Sequence, residues 1–209
     1  RVIDGYSPEY FESAGLYGDM ILSGIGDNIK CGNSLVSSDI FETNPELQQK
    51  IDELKETNVF DWQIAFPEVF ANGGFDYVIG NPPYVEVKNY NVGLPTMASY
   101  IKTQYSASSN GKIDLVIPFI EKGIQLLNAS GRLGYVVQKR FFKADYGKGI
   151  RRMLSTKRLL HSIYDYSETG LFKDRITYVA VIVCDIQFHI SCSTDTICST
   201  FHLVRNYGL

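Results

Sequence analysis

The chain has 209 residues, of which 44% are hydrophobic and 21% charged, and a net charge of −3; this is ordinary globular material, enough for one sizeable core and one domain. The negative balance argues against a protein that holds nucleic acid by its overall field, so any such contact needs a local basic patch. Cys31, Cys184, Cys192 and Cys198 form no CxxC pair, and His161, His189 and His202 show no metal-ligand spacing. No stretch approaches the roughly 20 apolar residues of a membrane span and the start has no signal-peptide pattern, so the expectation is a reduced, metal-free, cytoplasmic protein.

Residues 1–27 are rich in Gly, Tyr and acids with weak periodicity, and are expected to be loop with one short helix. Their opening, Arg1-Val2-Ile3-Asp4-Gly5, reads as the interior of a longer polypeptide. Gly24-Ile25-Gly26 is too short a pattern for a nucleotide loop and is taken as a turn. Next, Asn28-Ile29-Lys30-Cys31-Gly32-Asn33-Ser34-Leu35 predicts a short strand followed by a polar turn. Asn44-Pro45 supplies an N-cap and a first-turn proline, and Leu47, Ile51 and Leu54 recur at helical spacing, which predicts one amphipathic helix over residues 45–57. Phe60, Trp62, Phe66 and Phe70 form an aromatic cluster expected in the core.

The stretch Phe75-Asp76-Tyr77-Val78-Ile79-Gly80-Asn81-Pro82-Pro83-Tyr84-Val85 then sets a short apolar strand in front of a rigid polar loop. Asn81 precedes a proline and must be extended; Pro82 and Pro83 have fixed φ and no N–H. The loop therefore presents an Asn amide and carbonyl oxygens at fixed positions and almost no backbone donors. Such acceptors suit methylation of an exocyclic amine on a planar ring, whose lone pair is delocalised. The Asn81 oxygen and the Pro82 carbonyl can take the two amine hydrogens and aim the nitrogen at a sulfonium methyl group. Tyr84 is then placed to stack on the ring. The plainer alternative is a strand-ending turn with no chemistry.

Residues 86–112 are polar and read as a long loop over the site. Leu115, Phe119, Ile120, Ile124 and Leu127 share one face of a predicted helix over residues 113–127, ended by residues 128–131, and residues 131–138 form the next strand. From Lys139 to Arg158 eight basic residues face one acid, Asp145. That asymmetry suits a phosphate backbone, with a solvated helix face as the alternative. Residues 159–166 predict a strand, and residues 178–184 a continuous apolar run, hence a strand buried on both faces. Residues 171–177 are expected to be loop, and residues 187–209 carry no assignable chemistry.

The segments Trp62-Gln63-Ile64-Ala65-Phe66-Pro67-Glu68-Val69-Phe70 and Gly74 through the Asn-Pro-Pro-Tyr loop to Val85 resemble the adenine-specific DNA methyltransferase region of type IIG and type IIS restriction-modification enzymes. The resemblance covers residues 28–185. It implies a Rossmann-like α/β methyltransferase fold, with a mixed sheet in which the strand from Tyr178 runs antiparallel to its neighbours, and with the fold only partial in this chain. It further implies transfer of methyl from S-adenosylmethionine to adenine N6 of a flipped base in double-stranded DNA, without a metal.

By the same resemblance, Asn81, Pro82, Pro83 and Tyr84 are catalytic, and Phe172 flanks the base opposite Tyr84. Asn33, Ser34 and Asn81 touch the donor; Asn33 stands where the family usually has Asp, and capping of the following turn is its alternative role. Lys139, Arg140, Lys143, Lys148, Arg151 and Arg152 are the expected DNA contacts. The family's glycine-rich donor loop and ribose-binding acid are not found upstream of Asn28. A target-recognition region and any endonuclease would also lie outside the chain. Residues 28–186 are thus expected to be the catalytic half of a methyltransferase domain, flanked by residues 1–27 and by an extension over residues 187–209. Other readings stay open: an enzyme that methylates a protein glutamine or RNA, or a non-catalytic DNA-binding or assembly subunit.

Overall fold

The computed structural model describes residues 28–85, 95–109, 114–166, 179–186 and 203–205. Expectations placed on residues 1–27, on residues 86–94, on residues 167–178 including Phe172, and on most of residues 187–209 lie outside them. The chain divides into two compact units, Arg1–Gly32 and Asn33–Leu209. In the first, Ile29 is exposed; every element below belongs to the second.

A five-stranded mixed sheet has the order β1-β2-β4-β3-β5, with β1 Phe75–Gly80, β2 Leu127–Gln138, β3 Leu160–Asp165, β4 Val179–Asp185 and β5 Leu203–Arg205. β1 runs parallel to β2 and β3 parallel to β5, while β4 is antiparallel to both of its neighbours, as expected for the strand after Tyr178. Among the described residues the helices are α1 Ile40–Thr43, α2 Ile51–Thr57, α3 Trp62–Ala65, α4 Pro67–Ala71, α5 Pro95–Gln104, α6 Val116–Gln125 and α7 Lys148–Thr156, with 3-10 turns at Pro45–Gln49, Ser106–Ser108, Lys139–Phe142 and Asp145–Gly147.

Alternation explains the core. Leu133, Tyr135 and Val137 on β2 and Ala180, Ile182 and Cys184 on β4 are buried on one face, where Ile117 and Ile120 of α6, Phe141, and Ile150 and Leu154 of α7 pack against them. Each such aliphatic side chain contributes about 1.5–3 kcal/mol by burial. The other face is less covered: Val179, Val181 and Val183 are half-buried. The apolar run on β4 is therefore not buried on both faces among the described residues, contrary to its reading as a continuous core strand. A second cluster joins Leu35, Val36, Ile40 and Leu47 to Met97, Ala98, Tyr100, Ile101 and Tyr105 of and beside α5.

Other boundaries differ from expectation for visible reasons. The predicted strand before Leu35 is a single parallel bridge between Asn33 and Val59. The predicted helix over residues 45–57 breaks at Lys50, with φ −94° and ψ 80°, where the exposed Gln48, Gln49 and Lys50 follow the buried Leu47 of the 3-10 turn. The polar stretch over residues 86–112 contains α5, which Pro95 starts and which buries Met97, Ala98, Tyr100 and Ile101.

The turn expected at residues 128–131 exists, but inside β2. Phe75 pairs with Leu127 and Tyr77 with Arg132, so the intervening residues of β2 bulge. Asn128 Oδ1 accepts from Ser130 N at 3.0 Å and its Nδ2 donates to Asp76 Oδ1 at 2.7 Å, which holds the bulge against β1.

Candidate functional site

Gly80 ends β1 close against the Tyr135 ring: a Cβ there would sit 3.0 Å from it, and the ring would have to give way. The next five residues leave the carboxyl end of β1 without regular structure. Pro82 is buried while Asn81 and Pro83 are exposed, so the prolines fix the loop and leave the amide outward. Val85 O accepts from Leu115 N at 2.9 Å, and the Val85 side chain packs on the Leu35 cluster. The loop is thus clamped at both ends.

Tyr84 folds back over it. Its Oη donates to Asn81 Oδ1 at 2.6 Å and lies 3.3 Å from Val136 O on β2. The ring is 37% exposed, and partial burial pushes the phenol pKa up, so the hydroxyl keeps its proton and acts as a donor. Among the described residues, no hydrogen bond reaches the Pro82 carbonyl.

Asn33 is held by its own turn. Its Oδ1 accepts from Leu35 N at 3.1 Å and its Nδ2 lies 3.2 Å from Met97 Sδ. The carbonyls that follow are also taken, Ser34 O by Trp62 Nε1 at 3.1 Å and Leu35 O by Tyr105 Oη at 2.7 Å. Asn33 Oδ1 thus bonds the turn that follows it. Both Val85 and the residues following Asn33 pack in the Leu35 cluster, which is how the structure links the two segments.

Of the basic residues, Lys139 pairs with Asp165 at 2.6 Å. Arg151 Nη1 donates to Ala144 O at 2.8 Å and to Phe141 O, tying two 3-10 turns to α7. Arg140, Lys143, Lys148 and Arg152 are exposed. The aromatic cluster also departs from expectation. Trp62 stacks on Phe66 and meets Phe60 and Phe75 edge-on, yet Phe60, Trp62, Phe66 and Phe70 are half-buried rather than core.

Sequence reasoning missed a polar network beside the Asn33 turn. Asp39 accepts from Tyr100 Oη at 2.5 Å and from Gln104 Nε2 at 3.2 Å, and Asp61 accepts from Ser38 N at 2.9 Å. Burial lowers the pKa of Lys122, against the pull of Asp39 and Asp61. These pairs are more than twenty residues apart in sequence and leave no local pattern to read. Among the described residues no group of three or more His, Cys, Asp or Glu could hold a metal ion, and no helix is long and apolar enough to cross a membrane.

Compared with known proteins, residues 15–172 match the family described as Eco57I restriction-modification methylase. The type II restriction enzyme and methyltransferase RM.Eco57I of Escherichia coli is 31% identical over 169 residues, which cover 81% of this chain and 15% of the relative. The type II methyltransferase M.PaeR7I of Pseudomonas aeruginosa is 34% identical over 112 residues, 53% of this chain and 19% of the relative. The chain thus spans less than a fifth of the length of either. A solved structure assigned to the class I S-adenosylmethionine-dependent methyltransferases, from Listeria monocytogenes, aligns with a TM-score of 0.45 and 16% identity over 63% of this chain and 36% of that one.

Proposed function

The chain belongs to the Eco57I restriction-modification methylase family, and we propose that it forms the catalytic half of a DNA methyltransferase that places a methyl group from S-adenosylmethionine on N6 of adenine. The observation that carries this reading is the Asn81-Pro82-Pro83-Tyr84 loop at the carboxyl end of β1, beside the parallel strand β2. Open α/β sheets place ligands at that end.

The adenine amine is a poor nucleophile because its lone pair is shared with the ring. In this reading Asn81 Oδ1 and the Pro82 carbonyl accept its two hydrogens, which draws the nitrogen toward a tetrahedral shape and turns the lone pair out of the ring plane. Tyr84, with Phe172 on the opposite face, stacks on the extruded base. The donor, when bound, supplies an electrophilic methyl carbon on a sulfonium with a neutral leaving group, so no metal is needed. Nitrogen gains the methyl group and loses a proton to solvent.

In this reading Asn81, Asn33 and Ser34 hold one end of the donor. Asn81 is exposed at the end of β1, and Asn33 and Ser34, assigned to the donor with it, stand on a turn in which Asn33 also bonds Leu35 N and lies against Met97 Sδ. The rest of the donor site belongs, in this reading, to an upstream region of the same polypeptide. β1 supports this assignment: it is an edge strand of the described sheet, with Tyr77 70% and Ile79 84% exposed. Exposed apolar edge strands call for cover. Double-stranded DNA lies along Arg140, Lys143, Lys148 and Arg152, a downstream region reads its sequence, and the reaction takes place in the cytoplasm.

Methyl transfer is tested by offering DNA, RNA and protein, with radiolabelled donor, to the chain within its longer polypeptide. Label in DNA is the expected result. Label confined to RNA or protein refutes the reading.

A further inference from the structure

Asn81 Oδ1, the acceptor that the proposed reaction needs, is already engaged: Tyr84 Oη donates to it at 2.6 Å. The same hydroxyl lies 3.3 Å from Val136 O, a fixed backbone atom of β2. Between a prolyl loop and a sheet strand, the phenol therefore holds an acceptor position of Asn81 Oδ1 that an incoming amine N–H would use. Tyr84 is more than a third exposed and belongs to neither core cluster, so its ring can turn outward without uncovering core.

We infer that the Tyr84 hydroxyl is the resident occupant of the amine subsite, and that a planar base enters by exchanging with it. This rests on the adenine reading above and goes beyond it. In the empty site Asn81 keeps a donor; in the filled site the substrate N–H replaces the phenol O–H, and Tyr84 is released to stack on the base. With an amine-bearing base one neutral hydrogen bond is exchanged for another, so Asn81 stays satisfied. The phenol stays protonated through this exchange, and no covalent bond is made or broken.

The exchange imposes a cost that is the same for every base that displaces the hydroxyl, whether or not the base can then donate to Asn81. Tyr84→Phe keeps the ring and removes that cost. The gain is the net worth of one hydrogen bond, about 0.5–1.5 kcal/mol, or roughly two- to tenfold in Kd.

The experiment titrates the wild-type chain and Tyr84→Phe with 2′-deoxyadenosine and with purine 2′-deoxyriboside, which lacks the amine, following the Asn81 side-chain amide by NMR. Tighter binding of both nucleosides to Tyr84→Phe, by the same factor, supports the exchange. Unchanged or weaker binding to the variant overturns it, because the hydroxyl would then stay on Asn81 or assist the bound state. Failure of both proteins to bind deoxyadenosine would refute the adenine reading itself, an outcome distinct from equal binding by the two. Thermal unfolding of Tyr84→Phe within a degree or two of wild type shows that the comparison is between folded proteins.

Discussion

The Lys139 ammonium lies 2.6 Å from Asp165 Oδ2, so the residue that follows β2 is tied to the last residue of β3 across the start of β4. Both side chains are partly shielded, at 31% and 17% exposed. Such a pair braces the carboxyl edge of the sheet more than it offers a charge to a ligand.

That relationship separates the basic residues by their expected effect on DNA binding. Lys143→Gln and Arg152→Gln should each reduce the salt slope of DNA affinity by about 0.9, the value for one lost phosphate contact. Lys139→Gln and Arg151→Gln should leave the slope nearly unchanged, since their charges answer Asp165 and the Phe141 and Ala144 carbonyls. Thermal unfolding should show the reverse order, with Arg151→Gln losing about 1–3 kcal/mol as two charge-assisted hydrogen bonds go. Equal slopes for all four variants would contradict this division.

Gly123 sets how closely α6 approaches the sheet. A Cβ there would meet the Leu133 side chain and lie 2.6 Å from Tyr135 Oη, both on buried residues. Gly123→Ala should therefore destabilise the protein by about 1–3 kcal/mol from overpacking, less the roughly 1 kcal/mol that alanine gains over glycine in a helix. Adding Tyr135→Phe removes the hydroxyl from that contact and should recover part of the loss in a denaturant titration.

Alkaline stability follows from the same tyrosine. Burial pushes Tyr135 up to about 12, and burial together with Asp39 does the same for Tyr100. The ordinary value is about 10. A raised folded-state pKa means that the folded protein holds its proton longer than the unfolded chain does. The stabilising contribution is complete below pH 10 and is lost as the pH rises from about 10 to about 12. Lys122 acts with the opposite sign: burial lowers its pKa, so its penalty fades as the pH rises and is gone above 10.5. In urea titrations from pH 9 to 12, Tyr135→Phe should show a shallower decline than wild type. An identical decline would contradict the assignment.

What the sequence made legible was what is local. Strand β1 and its loop follow from Tyr77, Val78, Ile79 and the two prolines, and the antiparallel β4 from the family resemblance. Helix α5 was hidden because Ser and Thr dilute its buried face of Met97, Ala98, Tyr100 and Ile101, and the polar residues on either side read as loop. The bulge in β2 was hidden for a related reason. Asn128 and Ser130 are turn formers, and only pairing of Asn128 with Asp76 shows that the turn sits within a strand. Within the candidate site, residue identity was readable and commitment was not. Arg151 and Lys139 look no different from Arg140, Lys143, Lys148 and Arg152 until their carbonyl and carboxylate partners are placed, and no sequence pattern shows that Tyr84 rests on Asn81.

The most direct measurement is nucleoside mass spectrometry of DNA methylated by the chain in its full-length polypeptide, wild type against Asn81→Ala. The account predicts N6-methyladenine as the product and a fall in kcat of about 10²–10³ for Asn81→Ala, the usual effect of losing one preorganised polar contact to the reacting group. A product methylated on cytosine, or an Asn81→Ala variant as active as wild type, would contradict it.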